Sequence, residues 1–395
     1  MEALNQQLVR AAPSPKSPAR FRYLPALPTL WPGMLAAEGP VALPFPFNAE
    51  GVRYYYFARN AVWTAVKLLR LSEREILVPA YHHGVEVEAL LDAGALPRFY
   101  PIGPRLALDP AEVIARMGPK TAAVYVIHYL GFPQPLDALL EACRVRGIPL
   151  IEDCALSLLS KDGDVPLGSR GDVSLFCLYK TLPVPNGGAL VVNGQLPRGL
   201  PRTSSPGWPS TASHLVSSLL SNLRLRGGRA GQWLSSLLRL LGHAAAGGLE
   251  TGRVPTGTQH FDRGACRLGM SPISSRILAN QHCGRIVEVR RRNFFFLLGR
   301  LRDLAPPLVS ELPAGVCPLF YPLLVERKDL FRRRLASRGI EAIDFWRTGH
   351  PLVRAGEFPE VDRLREQLVE LPIHQDFDPA AMEFMALAVR EALHG

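Results

Sequence analysis

The chain reads as an α/β protein: a sheet of crossover-connected strands packed with helices, followed by a smaller α/β unit at the C-terminal end. Three observations predict this. From residue 60 to residue 192, apolar runs of strand length alternate with stretches of helical spacing, the pattern of parallel strands joined by helical crossovers. The rhythm breaks over 196–268 and a strand–helix pattern returns from residue 320. At 395 residues and 47% apolar composition, the chain can bury a large core and suggests two units.

The elements follow in order. Nine prolines between Pro13 and Pro46 predict an extended arm over residues 1–50. Val62, Ala65, Val66 and Leu69 share one helix face, with Asn60 as the expected N-cap. A short strand is expected over Glu75–Pro79, a helix over Val85–Ala93 closed by Gly94, and a strand over Pro97–Tyr100. Pro110–Met117 reads as a helix and the β-branched run Ala122–His128 as a strand. Leu136–Arg146 with Gly147 is a capped helix, Ile148–Ile151 a buried strand, and Val173–Leu178 and Ala189–Val192 two more. Within 196–268, the apolar positions of Leu215–Arg226 and Trp233–His243 follow helical spacing. A helix-rich stretch is expected over Pro272–Leu304, then strand Phe320–Val325, helix Lys328–Ser337 with Gly339 as cap, and strand Ile340–Phe345.

Composition narrows the function. Mean hydropathy is near zero, and no apolar run is long enough to span a bilayer; Leu234–Ala246 is interrupted by Arg239. The N-terminus is Pro-rich and basic, without a signal-peptide pattern. The six cysteines are scattered with no metal-ligand or CxxC spacing, which predicts buried free thiols and a cytoplasmic protein. The net charge of +10 is concentrated: no acidic residue lies between Asp172 and Glu250, where Arg198, Arg202, Arg224, Arg226, Arg229 and Arg239 fall. No nucleic-acid-binding motif accompanies this excess, so anionic phosphates of a substrate or an anionic membrane surface are the natural partners.

The chemistry centres on two residues. Asp153 follows the run Pro149-Leu150-Ile151-Glu152, and Lys180 lies among Phe176, Leu178, Tyr179 and Leu182. A lysine with apolar neighbours loses its proton more readily, as an imine-forming lysine must. An acid that keeps a pyridine nitrogen protonated, together with such a lysine, is the minimal set for pyridoxal-phosphate chemistry. His128, Asp153 and Lys180 each fall at or just past a strand end, where α/β sheets collect ligands.

Several short motifs stand in a specific order: Val78-Pro79-Ala80-Tyr81, Ala93-Gly94-Ala95-Leu96-Pro97, Pro119-Lys120-Thr121-Ala122-Ala123, His128-Tyr129-Leu130-Gly131, Ile151-Glu152-Asp153-Cys154-Ala155 and Leu371-Pro372-Ile373-His374. From about Tyr55 onward, outside 196–268, the chain resembles the DegT/DnrJ family of pyridoxal-phosphate-dependent nucleotide-sugar aminotransferases. The resemblance implies fold type I: a mostly parallel seven-stranded sheet sandwiched by helices, with a smaller C-terminal α/β domain. It implies that Lys180 forms the Schiff base and carries the proton, that Asp153 binds the pyridine nitrogen, and that His83 stacks on the ring. The backbone N–H groups of Asn60 and Ala61 would hold the phosphate, with Ser174 or Cys177 as the hydroxyl-position contact, and His128 would support the site from behind. Sugar dehydratases related to the family carry histidine in place of the lysine, so Lys180 points to transamination. The expected substrates are an amino-acid donor, glutamate in most of the family, and a keto-sugar nucleotide, in surface-polysaccharide or secondary-metabolite biosynthesis. A homodimer is implied as well. The alternative is a cofactor-binding homologue with a regulatory or scaffolding role.

The chain departs from the family pattern at several points. Leu156 stands where the family has Gln, Asn186 where it has an acid, and the run from Asp172 to Lys180 is about two residues short. The interface Asn-x-Arg is not cleanly present around Ala265-Cys266-Arg267. The expected organisation is an arm (1–50), a cofactor-binding domain (51–195), a basic amphipathic helical insertion (196–268), a connecting helix (269–305) and a small domain (306–395). The insertion could be a packed helical hairpin, a weak membrane-contacting surface over 213–243, or a lid over a phosphate-bearing substrate.

Overall fold

A computed structural model describes residues 23–36, 41–194, 202–246, 261–305, 307–344 and 346–394. The expectations for 1–22, 37–40, 195–201 and 247–260 lie outside the described residues.

In chain order the first half contains β1 (Arg53–Tyr55), α1 (Ala58–Leu68), β2 (Glu75–Pro79), α2 (Val85–Asp92), β3 (Leu96–Tyr100), α3 (Pro110–Arg116), β4 (Thr121–Ile127), α4 (Asp137–Arg146) and β5 (Leu150–Asp153). A small hairpin of β6 (Lys161–Asp162) and β7 (Val165–Pro166) precedes β8 (Val173–Cys177) and β9 (Gly188–Val192). Seven strands form one sheet in the order β1-β9-β8-β5-β4-β2-β3. The five from β3 to β8 pair in parallel, while β9 and β1 add antiparallel at one edge. Every residue of β4, β5 and β8 is buried, as parallel strands covered on both faces require.

Two boundaries differ from expectation, and both matter. Strand β5 starts at Leu150, since Pro149 has no N–H to donate, and runs on to Asp153 rather than stopping at Ile151, because Glu152 and Asp153 pair with Val126 and Ile127 of β4 and with Ser174 and Leu175 of β8. Helix α1 begins at Ala58, with Phe57 as an N-cap whose side chain makes no capping bond. Asn60 therefore lies inside the first turn: its side-chain amide donates to the Ala265 carbonyl at 2.8 Å and it is not the cap.

The second half holds α5 (Trp208–Arg226), α6 (Gly228–Ala246), α7 (Pro272–Ala279), α8 (Cys283–Leu301), β10 (Phe320–Leu324), α9 (Lys328–Ser337), α10 (Pro359–Gln367), β11 (Leu368–Pro372) and α11 (Pro379–His394). Strands β10 and β11 pair antiparallel. Helices α8, α9 and α11 enclose a second apolar core containing Phe294, Tyr321, Phe331 and Met385. The expected strand over 340–345 is reduced to isolated bridges at Ile340 and Ile343. Both insertion helices are longer than their apolar spacing marks, and they pack on each other. All six cysteines are buried and free.

Candidate active site

The carboxyl ends of β4, β5 and β8 open onto a cavity of about 480 Å³ whose lining includes His83, Ile127, Asp153, Ala155, Cys177 and Lys180. Asp153 ends β5 and is 6% exposed. The Tyr125 hydroxyl donates to its Oδ2 at 2.5 Å and the Ala155 N–H to its Oδ1 at 2.8 Å. Burial pushes its carboxyl up to about 6, with the nearby Glu86 adding to the rise and Tyr125 and Lys180 opposing it. An acid so placed is costly to ionise until a cation sits beside it.

Lys180 follows β8 by three residues and is held from behind. The buried guanidinium of Arg290 on α8 donates to the carbonyls of Thr181, Pro318 and Leu319. The Gln375 amide donates to the same Thr181 carbonyl at 3.0 Å. The residue after the lysine is thus tied at once to the connecting helix and to the turn after β11. His83 follows β2, and its neighbour Glu86 accepts the His83 N–H at 2.9 Å. Burial first, then the charges of Lys180 and Arg59, lowers the His83 imidazole to about 4, so at neutral pH it presents an uncharged ring.

The start of α1 forms another wall, through Phe57, Ala58 and Arg59. This corrects the expected phosphate cradle: Asn60 and Ala61 are outside the lining, and the Asn60 N–H already bonds the Phe57 carbonyl. Gly188 on β9 lets the sheet approach this turn. A Cβ there would stand 2.3 Å from the Phe57 carbonyl carbon and 2.4 Å from the Ala58 nitrogen.

Ser174 is a second correction. Successive strand residues face opposite sides, and Ser174 lies with Phe176 beside Gly168, away from the cavity that Cys177 lines. Its hydroxyl is buried without a partner. His128 is also outside the lining. Its Nδ1 accepts the Gln134 N–H and its Nε2 faces Glu152 at 3.0 Å, so Nε2 carries the proton. Burial alone would raise the Glu152 carboxyl, but His128 and the N–H groups of Arg170 and Gly171 outweigh it and hold it below its usual value. The pair supports the loop behind β5. Arg59, Tyr125 and Glu86 were not foreseen; nothing in their spacing marks them.

These groups fit pyridoxal phosphate. A buried anion stands ready for a ring nitrogen, a lysine lies in the same cavity, an uncharged imidazole offers a ring face, and an uncapped helix start offers N–H donors to a phosphate. Fold and site together define a protein of the pyridoxal-phosphate-dependent transferase class.

The comparisons with known proteins make the assignment particular. Residues 58–199 match the model of the DegT/DnrJ/EryC1/StrS aminotransferase family. Over 369 residues the chain is 30% identical to the dTDP-4-dehydro-2,3,6-trideoxy-D-glucose 4-aminotransferase of Saccharopolyspora spinosa, covering 88% of this chain and 85% of that one. It is 35% identical over 144 residues to the L-glutamine:2-deoxy-scyllo-inosose aminotransferase of Streptoalloteichus tenebrarius, a match spanning about a third of that protein's length (34%) and 35% of this chain. The fold is shared with the aminotransferase TlmJ from Streptoalloteichus hindustanus at TM-score 0.61 and 24% identity, over 87% of this chain and 86% of that one. The chain belongs to the DegT/DnrJ/EryC1/StrS aminotransferase family.

Proposed function

We propose that this protein is a pyridoxal-phosphate-dependent aminotransferase that moves an amino group from an amino acid of the glutamate or glutamine type to the keto group of a sugar-like ring, such as that of a nucleotide-linked sugar. The observation that carries the reading is the convergence of Lys180, Asp153 and His83 on one cavity at the carboxyl ends of the parallel strands. The names of the relatives support the substrate class: one acts on a dTDP-linked keto sugar and one on a keto cyclitol with glutamine. A purely regulatory role is the weaker reading, because both groups are retained on one cavity, Asp153 buried and Lys180 half-buried.

Pyridoxal phosphate, when bound, supplies a ring that draws electrons from the carbon bearing the amino group. Asp153, once ionised, keeps a proton on the ring nitrogen by its negative charge. Lys180 Nζ would hold the cofactor and, once free as an amine, would accept the proton leaving the amino-bearing carbon of the donor and pass it to the cofactor carbon it had been bound to. The Ala58 and Arg59 N–H groups and the Arg59 guanidinium hold the phosphate, with the Cys177 thiol in the place of the usual hydroxyl. His83 covers the ring face, and Phe57, Leu156 and Trp346 keep water from the proton transfer. We place the cofactor site in 51–195 and the small domain in 306–395.

A cytoplasmic homodimer belongs to this proposal; the buried free thiols fit a reducing compartment. A weak contact of the insertion with anionic membrane belongs to it too. Trp208, Trp233, Leu234 and Leu238 are exposed, and Arg226 and Arg229 are exposed at the same hairpin. No helix among the described residues is long and apolar enough to cross a membrane.

The test is spectroscopic. Purified protein given pyridoxal phosphate is expected to develop a visible band that L-glutamate or L-glutamine bleaches. Lys180→Ala removes the band. A band that survives this substitution sinks the role of Lys180, and a band that no amino acid bleaches sinks the transaminase reading.

A further inference from the structure

Glu86 brings a further carboxylate to the cavity of Lys180 and Asp153. It stands in the first turn of α2, is 7% exposed, and belongs to the cavity lining. Its Oε1 accepts the His83 N–H at 2.9 Å. A carboxylate at a helix start is favoured by the helix dipole, but that effect needs no burial. Glu88, in the same turn, shows as much. Its side chain is 36% exposed, pairs with His350 Nε2 at 2.9 Å, and stands outside the lining.

The other acids of the lining are held by neutral donors. Asp153 accepts from the Tyr125 hydroxyl and the Ala155 N–H. Glu341 accepts the Tyr23 hydroxyl at 2.7 Å and the Ala26 N–H at 3.2 Å. Glu86 meets positive charge as well. Burial raises its carboxyl; its own N–H and that of His83 oppose the rise, and so do the charges of Lys180 and Arg365. Arg365 on α10 donates to the carbonyls of Ala80, His82 and Trp346 at 3.0, 3.2 and 2.6 Å. An arginine keeps its charge at every working pH. Lys180 is therefore the cation whose charge Glu86 can govern.

The titratable groups around Lys180 come from several walls: Glu86 from α2, His83 after β2, Asp153 from β5 and Cys177 from β8. Arg59, Tyr179, His214 and Glu341 share the lining. Around Glu86, Tyr125 and Tyr129 stand with Asp153. Burial pushes the Cys177 thiol up and the His83 imidazole down, so both are uncharged at neutral pH. In the aminotransferase reading Asp153 is committed to the ring nitrogen. Glu86 is left as the anion for Lys180.

A carbon doubly bonded to nitrogen accepts an attacking amine most readily when that nitrogen bears a proton. The pair of the amine then forms the new C–N bond, and the pair of the C=N bond moves onto the cationic nitrogen. Apolar lining such as Phe57, Leu156 and Val184 favours loss of that proton, whereas a carboxylate in the same wall retains it. We propose that Glu86 is the counter-charge of Lys180, holding the proton on the lysine nitrogen while that nitrogen carries the cofactor. This rests on the reading of Lys180 as the cofactor lysine and deepens it. Glu86 acts through Lys180 and is a positioning residue.

The test is a spectrophotometric pH titration of the cofactor-loaded full-length protein, reading the visible band of the protonated nitrogen against the near-ultraviolet band of the unprotonated one. In Glu86→Gln the amide oxygen still accepts the His83 N–H while the charge is gone, so a merely structural role leaves the midpoint in place. The expected result is a midpoint lowered by about one pH unit, a roughly tenfold loss of proton affinity. Glu86→Asp should stay closer to the wild type, and Glu88→Gln should match it. An unchanged midpoint in Glu86→Gln, or an equal shift in Glu88→Gln, overturns the proposal. If Glu86→Gln does not load, loading by Glu86→Asp supports the role of the charge, and failure of both overturns it. A wild type that develops no band, or a band that persists in Lys180→Ala, overturns the reading of Lys180 itself. That failure is distinct, because it is registered without any Glu86 variant.

Discussion

The burial of Asp153 lowers the stability of the cofactor-free fold at neutral pH. Its carboxyl is raised from 3.8 to about 6 by burial. Below pH 4 it is protonated in folded and unfolded chains alike. Between pH 4 and 6 the unfolded chain loses this proton while the folded one keeps it, so stability falls as pH rises and stays lower above pH 6, by roughly 3 kcal/mol. Asn cannot accept from both Tyr125 and Ala155 N–H, which returns about 1 kcal/mol. Cofactor-free Asp153→Asn is therefore expected to be about 2 kcal/mol more stable at pH 7 in urea titration, and to lose cofactor affinity. A less stable variant would contradict the burial argument. Lys180 and Asp153 were legible from residue type and setting alone. His83 was legible only through resemblance, because His82 beside it is chemically identical. Tertiary packing turns His82 inward, where it donates from Nδ1 to the Pro79 carbonyl and accepts the His350 N–H, and leaves His83 in the cavity.

At the scale of elements, the strand–helix rhythm foretold most of the sheet. It failed where the signal was not local. Asn60 looks like a helix cap, but α1 starts earlier, at Ala58, where Phe57 and Ala58 lie against Gly188. Gly188→Ala is expected to cost about 2–3 kcal/mol through overpacking, and to weaken cofactor binding because the crowded atoms belong to the proposed phosphate cradle. Normal stability with normal affinity would show that this turn is not the cradle. Ser174 and Cys177 were both candidates for the hydroxyl-position contact, and strand alternation leaves only Cys177 of the two lining the cavity. The apolar spacing of the insertion revealed helices; that the polar face of α5 lines the cavity depends on where the helix packs. For α6, co-sedimentation with anionic vesicles at low salt is expected, diminished in Trp233→Ser and by added salt. Absence of sedimentation at low salt removes the membrane contact.

The whole molecule sets the response to acid. His82, His83 and His374 are held near 3, 4 and 4, chiefly by burial. Each binds its proton in the unfolded chain before it does in the folded one, so each favours unfolding as pH falls below about 6.5. Near pH 5 folded Asp153 and Glu86, both raised by burial, hold protons that the unfolded chain gives up and so oppose the three imidazoles in part. Stability of the cofactor-free protein should then fall as pH drops from 7 to 5. Denaturant midpoints measured from pH 7 down to pH 5 check this, and a flat profile would show that these imidazoles titrate freely.

Residue type and order by themselves determined the class of fold and, through the ordered short motifs, the family, and they singled out Lys180 and Asp153 as the proposed reactive pair, because strand–helix alternation and a lysine or carboxylate in an apolar run are properties of short stretches of chain. Only the tertiary structure decided which of two adjacent histidines lines the cavity, where α1 begins, and that one face of an inserted helix, held by residues 23–30, forms a wall of that cavity. Each of those outcomes depends on packing between residues far apart in the chain, and such contacts leave no local pattern in the sequence.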